Sequence, residues 1–437
     1  MRVACLYIPR AEPYHKDEKM RLETLQIENF RGIQGMRIDF HRRLNVFVGE
    51  NGIGKTTILN ALGKTIDIAR LNHVTGNELK DLESGCIINP HDIHMGSRNA
   101  HLKLKLFLRG QHINTAVGSK PEQSSSDLNS HFPEADVNLP YKTFSESRST
   151  ITGTYTPNEN VKNLITGIDP IMGSILKDTT QYGHAFAWIS QREALENSRL
   201  RKFIDSGKEF GKDSFKKDSV LQAVKKVITD ITGFEGLFDD REKYGFTVRK
   251  SFEREEETLL FSQLSSGEQH LISFIATLAA YLATSFSDMK EPLCGEAVFI
   301  IDAIELHLHP SWQRKIIPRL LTSFPNCQFI ITTHSPQVLS HIKPESVFIL
   351  KRSNQKVIHE KPEECYGMSF DRVVELVMDD VSRPEMVRND LDKIFELIER
   401  KKIKLAKELI ADLKKDMGTD PELMRAEMLI RRLEMNK

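Results

Sequence analysis

The stretch GENGIGKTT, residues 49–57, sets a lysine and two threonines directly after a glycine, with four residues between Gly49 and Gly54. Glycines at that spacing let successive backbone N–H groups curl around a phosphate chain. Lys55 can then reach the terminal phosphates and the Thr56 hydroxyl can ligate magnesium. Glu50, Asn51, Gly52, Ile53 and Thr57 complete the loop. The context fits, because an apolar run from Leu44 to Val48 precedes the loop and a helical pattern follows it. The start of that helix points its positive end at the same anion.

Three further segments carry chemistry. In FIIDAIELHLHP, residues 299–310, a buried strand ends on Asp302, which can hold the shell of a magnesium ion through water. Glu305, His307 and His309 follow; they are metal-ligand types, or an extended turn in which histidines alternate without a further ligand set. LSSGEQ, residues 264–269, precedes an apolar helix. Ser265, Gly267 and Glu268 there form either an ordinary N-cap or a phosphate site built on the free N–H donors of a helix start. Within one subunit the Lys55 loop already holds the phosphate, so this segment is expected to close on the nucleotide of a second subunit. FIITTHS puts His334 at the end of a neighbouring strand, beside the γ-phosphate, as a sensor.

The elements that must position these groups are legible as patterns. LETLQIENFRGI alternates apolar and polar residues, and MRIDF and RLNVFVGE follow, which together predict a small N-terminal sheet. Ile58, Leu59, Leu62, Ile66 and Ile68 recur at helical spacing, and HLKLKLFLRG reads as a strand of an added sheet. Residues 112–160 are rich in Ser, Thr, Asn and Pro and predict an irregular excursion. The region 182–235 reads as helical, YGFTVRKSF and ETLLFSQLSSGEQ bring back strand and loop, and residues 270–281 form an apolar helix. AVFIIDA and QFIITTH are continuous apolar runs, the mark of fully buried parallel strands. In the tail, Val387, Leu391, Ile394 and Ile398, then Leu405, Leu409 and Leu413, repeat at helical spacing, and a third helix starts at Pro421.

Bulk properties restrict the class. The 437 residues suffice for two or three domains, with 39% hydrophobic residues to build a large core. Lys plus Arg and Asp plus Glu are equal at 61 each, so any DNA contact needs a local patch. The basic stretches of residues 198–217 and 399–408 read as solvated helix faces. Five scattered cysteines form no CxxC pair or disulfide ladder, which suits a reducing cytoplasm. Neither a signal peptide nor a membrane span is visible, so no membrane partner is expected.

In their order, GENGIGKTT, LSSGEQ, FIIDAIELHLHP and ITTHS resemble the ABC-type ATPase heads of the SMC, RecF and OLD group, and LETLQIENFRGI is similar to the first strand of those heads. The resemblance covers about residues 20–350 and implies an α/β fold, a two-lobed ABC ATPase head with a mixed sheet flanked by helices. A head over residues 1–365, with the excursion at 112–160 and a helical lobe at 182–260, would precede a C-terminal helical domain over residues 366–437. It implies ATP and Mg2+ as cofactors, with residues 49–57 on the nucleotide, Thr56 and Asp302 on magnesium, and Gln191 as a further metal ligand. It also implies Ser265, Gly267 and Glu268 acting in trans, and His334 as the switch residue. Heads of this group pair face to face, so self-association as a dimer or higher oligomer is implied.

The departure is Ala303, where the group carries a Glu that activates water. A methyl group can neither accept a proton nor hold water, so the resemblance implies an ATPase that binds ATP but hydrolyses it poorly. With every surrounding motif intact, a deliberate Glu-to-Ala change that traps ATP is expected, with natural divergence as the alternative. The spacing leaves no room for a long coiled-coil arm, and no nuclease domain follows His334. The tail and WISQREALENS are similar to the PtuA family, ATPases of Septu and retron-associated anti-phage systems. By analogy the partners would be an HNH nuclease of the PtuB type, and in retron forms a reverse transcriptase with its DNA–RNA product. The alternatives are a RecF-like repair ATPase that clamps duplex DNA, and an ATP-locked scaffold without turnover.

Overall fold

The structure is a computed structural model that describes residues 3–7, 20–71, 88–108, 111–118, 181–206, 215–240, 245–251, 256–378 and 383–435. It divides into a unit of residues 1–368 and a unit of residues 369–437.

A six-stranded sheet forms the base of the first unit. Its order is β1 (Val3–Tyr7), β10 (Ala297–Ile301), β11 (Gln328–Thr332), β4 (Leu44–Val48), β12 (Val347–Ser353) and β13 (Lys356–Glu360). The four inner strands run parallel, and the two edge strands pair antiparallel. Every residue of β4, β10 and β11 is buried, which is why these strands are unbroken apolar runs rather than alternating ones.

The second sheet is antiparallel, in the order β3 (Ile33–Asp39), β2 (Arg21–Phe30), β5 (His101–Leu108) and β6 (Gln111–Gly118). The N-terminal sheet expected from the sequence is therefore split. β2 and β3 bury one face each and pair in the antiparallel sheet, whereas β4, apolar throughout, joins the parallel one. Helix α1 (Lys55–Leu71) supplies Ile58, Leu59, Leu62 and Ile66 to one core shared with Leu25 and Ile27 of β2 and with Phe47, Ile300, Ile330 and Phe348 of the parallel sheet. The buried amide of Gln328 staples the two sheets. It accepts the Leu22 N–H at 2.8 Å and donates to the Leu22 carbonyl at 3.1 Å, where the β2–β5 register slips.

The expected excursion at 112–160 begins with residues 112–118 in β6, whose alternating His-Ile-Asn-Thr-Ala-Val pairs in full with β5; the remainder lies outside the described residues. Beyond it come α2 (Gln181–Asp205), α3 (Ser219–Thr232), the antiparallel strands β7 (Glu235–Asp240), β8 (Gly245–Ser251) and β9 (Glu256–Leu260), and α4 (Ser266–Ser285). Asp218 caps α3 through the N–H groups of Val220 and Leu221, and Arg192 of α2 binds the same carboxylate at 2.9 Å. Phe186 of α2 packs edge-on against Phe246 and Phe261 with centroids 4.8 Å away. Helix α4 starts earlier than its apolar run because Ser265 caps it. The remaining helices of the first unit are α5 (Pro310–Ser323) and the short α6 (Pro336–Leu339).

The second unit holds α7 (Phe370–Leu376), α8 (Glu385–Glu399), α9 (Ile403–Met417) and α10 (Pro421–Met435). Its core comprises Leu391, Ile394 and Ile398 of α8, Ala406, Ile410 and Leu413 of α9, and Leu423, Ala426 and Ile430 of α10. The expected face of α9 is off by one position. Leu405 is 51% exposed and the small Ala406 takes the core place. Among the described residues no helix is long and apolar enough to cross a membrane.

Candidate functional site

Because β10, β11 and β4 are adjacent and parallel, their carboxyl ends deliver Asp302, residues 332–334 and the 49–57 loop to one edge of the sheet. Ligand sites of open parallel sheets lie at that edge. In the loop, Gly49, Gly52 and Gly54 have φ of 151°, 77° and 120°, which side chains rarely adopt. A Cβ on Gly49 would also stand 2.6 Å from the Leu350 carbonyl of β12. Glu50, Asn51 and Gly52 form the exposed tip, and Ile53 is buried beneath it. Lys55, 6% exposed, donates from Nζ to the carbonyls of Gly49 (2.7 Å) and Glu50 (2.8 Å). Burial pushes its ammonium down to about 8, against the opposing charges of Asp302, Glu305 and Glu50. The ammonium is thus held by two carbonyls of the glycine-rich loop, with carboxylates close by but, among the described residues, no ion pair to it, which leaves the charge for a phosphate.

The metal side is built from two strands and a helix. The Thr56 hydroxyl at the start of α1 donates to Asp302 Oδ2 at 2.9 Å, which puts a hydroxyl and a carboxylate, both hard oxygen ligands, side by side. The Thr332 hydroxyl donates to Asp302 Oδ1 and accepts the Ala303 N–H at 2.8 Å. Ala303 sits at φ 52°, a left-handed conformation that costs an L-residue about 1–2 kcal/mol. These residues fit a nucleotide with a magnesium ion: cradle, cation, hydroxyl and carboxylate converge.

Glu305 lies elsewhere than a metal cluster would need. Its Oε2 accepts the Thr333 hydroxyl at 2.7 Å and its Oε1 accepts the His334 N–H at 2.9 Å. His309 caps α5 through Ser311, while the His307 ring stands 4.9 Å from that of His270 on α4. The three side chains diverge, and among the described residues no group of three or more His, Cys, Asp or Glu could hold a metal. Burial lowers the proton affinity of the His334 imidazole, and the Lys55 charge lowers it further, against Glu305 and Asp302. Lys55, Asp302 and Glu305 are therefore all close enough to act on that ring by charge.

Ser265, Gly267 and Glu268 are engaged within their own chain. Ser265 Oγ accepts the Glu268 N–H at 3.4 Å and Glu268 Oε2 accepts the Ser265 N–H at 3.0 Å, a reciprocal capping box, with the Ser265 hydroxyl also donating to Glu268 Oε2 at 2.8 Å. The helix start is thus not the unblocked donor set expected from the sequence, because its own serine and glutamate occupy part of it. Burial works to raise the Glu268 carboxyl, but hydrogen bonds from Lys250 and Ser265 outweigh it and leave it below the usual range. A Cβ on Gly267 would lie 2.6 Å from the His307 carbonyl, so this glycine is demanded by close approach to the loop after β10. Among the described residues no hydrogen bond joins this segment to residues 49–57. Gln191 lies in α2 between Ser190 and Arg192, which bind Asp239 and Asp218, and no hydrogen bond brings it to Thr56 or Asp302. Sequence reading missed Thr332, the partners of Glu305 and the Leu350 carbonyl. Only the threonine pair of ITTHS at a strand end hinted at any of them.

The family model described as "AAA domain, putative AbiEii toxin, Type IV TA system" matches residues 109–340, more than half of the sequence. The chain belongs to that AAA-domain family. A second model, "AAA ATPase domain", matches residues 20–96, which include the phosphate loop. The chain is 25% identical to the Retron Ec83 probable ATPase of Escherichia coli, over 84% of this chain and 77% of that protein. It is 23% identical to the Septu protein PtuA of Bacillus thuringiensis, over 82% and 83%. Among solved structures, the SMC head domain from Thermotoga maritima is similar at 16% identity and a TM-score of 0.42, over 79% of this chain and all of that one. The chain is an AAA-family protein, similar along most of its length to retron probable ATPases and to Septu PtuA.

Proposed function

We propose that the chain binds ATP with magnesium at this edge and serves as the ATPase subunit of an anti-phage defence complex. One observation carries the nucleotide reading: three left-handed glycines wrap the buried Lys55 beside the 2.9 Å contact of Thr56 with Asp302. Lys55 would neutralise the terminal phosphates, Thr56 and Asp302 would hold magnesium, and backbone N–H groups of residues 49–57 would supply further donors. Bound magnesium would contribute charge stabilisation of the transferring phosphoryl group. His334, held neutral, can offer a ring N–H or a lone pair. Ala303 offers no base, so binding persists while hydrolysis slows by about 10² to 10⁴.

The relatedness to retron and Septu ATPases along most of the chain supports the defence reading over a RecF-like one. In this reading residues 1–365 are the head and 366–437 the helical tail, and two heads each lend Ser265, Gly267 and Glu268 to the other's nucleotide. Nucleotide state then controls a bound HNH nuclease of the PtuB type, with a reverse transcriptase and its DNA–RNA product as a further partner. The test compares ATP turnover of this chain with that of Ala303→Glu. A gain of about 100-fold or more is expected, and equal rates would end the reading of position 303 as the missing base.

A further inference from the structure

Besides the Ile304 N–H bond to the Thr332 carbonyl at 3.1 Å, three side-chain ties join the loop after β10 to the end of β11 and the segment after it. Thr332 binds both Asp302 and the Ala303 N–H. Glu305 accepts from the Thr333 hydroxyl and the His334 N–H. Gln313 of α5 donates to the Leu308 carbonyl at 2.8 Å and accepts the Ser335 hydroxyl at 2.6 Å. The middle tie differs from the others in taking both oxygens of one carboxylate to two consecutive residues, one of them the proposed sensor. Thr333 is fully buried, so its hydroxyl has little water to turn to, while His334 is exposed and, without this bond, would be held only by its neighbours. Charge-assisted bonds of this kind are roughly twice as strong as neutral ones.

We propose that Glu305 is a positioning residue: its carboxylate latches the loop after β10 to the His334 segment, so that Asp302 and His334 keep one fixed mutual geometry. The inference rests on the reading of His334 as the residue that meets the terminal phosphate, but the latch itself exists without nucleotide. It assigns Glu305 no contact with ATP. The geometry also says which replacement should be tolerated. A glutamine can accept the His334 N–H with its amide oxygen and donate to the Thr333 oxygen with its NH2, so the latch survives loss of charge. An alanine leaves a buried hydroxyl and a backbone N–H without their partner.

The test has an arm that needs no nucleotide. In this chain, Glu305→Ala should speed hydrogen exchange at the His334 amide by about tenfold or more, whereas Glu305→Gln should stay within about threefold. Should Glu305→Ala fail to fold, Thr333→Ser keeps the hydroxyl and Thr333→Val removes one of the two latch bonds together with the Ser335 N–H bond to that hydroxyl, so the valine variant should speed the His334 amide by a smaller factor and the serine variant should not. In an Ala303→Glu background, Glu305→Ala should lower kcat by about 10- to 100-fold with KM changed less than about twofold, and Glu305→Gln should recover most of kcat. Unchanged exchange at His334 in Glu305→Ala or Thr333→Val overturns the latch. So does a Glu305→Gln variant as slow as Glu305→Ala, because the charge and not the position would then matter. Failure of the parent chain to bind a fluorescent ATP analogue would instead overturn the nucleotide reading, and the exchange arm would still decide the latch.

Discussion

Lys55 shows how much a single side chain states about function once its surroundings are known. Burial lowers its ammonium to about 8, and the cradle carbonyls hold it where a phosphate chain would raise its proton affinity again. Between the free and bound values, ATP binding takes up a proton, so affinity should fall as pH rises above about 8. Calorimetry at pH 8.5 in two buffers of different ionisation enthalpy should show net uptake, and its absence would contradict this account. The same shift affects folding. The unfolded chain binds more protons at this lysine between about pH 8 and its ordinary value near 10.5, so without nucleotide this group adds stability as pH rises through that window. Lys55→Met should flatten that slope, as read from denaturant midpoints across the window. The curved loop of residues 49–57 was legible in the sequence because backbone curvature there depends on local glycines. The roles of Glu305 and Thr332 were not, because their partners lie about thirty positions away on a neighbouring strand.

Among the elements, the junction of α4 with the loop after β10 carries the sharpest expectation. In the sequence Gly267 reads as part of an N-cap or of a phosphate site, yet in the fold the His307 carbonyl occupies the place a Cβ on it would take. Gly267→Ala must push that backbone aside, which costs about 1–3 kcal/mol. A thermal melt without nucleotide should therefore show destabilisation. If Gly267→Ala changed only ATP-dependent association and left the melt unaltered, the in-chain contact would carry no weight. Helix α9 offers a second test. Ala406 is fully buried and Leu405 is 51% exposed, so Ala406→Glu should unfold the tail core, whereas Leu405→Glu should stay within about 0.5 kcal/mol. Circular dichroism of both variants reads the outcome. The apolar spacing of α9 alone fits either face, because Leu405, Leu409 and Leu413 form as regular a stripe as Ala406, Ile410 and Leu413. Contact with α8 and α10 selects the second.

At the scale of the whole molecule, the proposed reading has two copies complete each other's nucleotide site, and among the described residues Ser265, Gly267 and Glu268 make no hydrogen bond to residues 49–57 of their own chain. If the proposed reading of Ala303 holds, ATP should convert the 50.0 kDa chain into a species of about 100 kDa, the two-fold pair of a closed point group. Light scattering with and without ATP checks this, and Ser265→Arg should keep the chain monomeric by filling the shared interface. By itself the sequence determined the order of the phosphate loop, the helix start, the acidic strand and the strand-end histidine, together with the identity of the buried parallel strands. Those features are local: a glycine turn, a cap or an unbroken apolar run needs only its neighbours in the chain to be recognised. Only the tertiary structure decided that β4 leaves the first two strands for the parallel sheet, that Glu305 serves His334 rather than a metal, and which face of α9 is core. Each of those outcomes is fixed by contacts between segments far apart in sequence, where burial and hydrogen-bond satisfaction are settled by the partner and not by the residue.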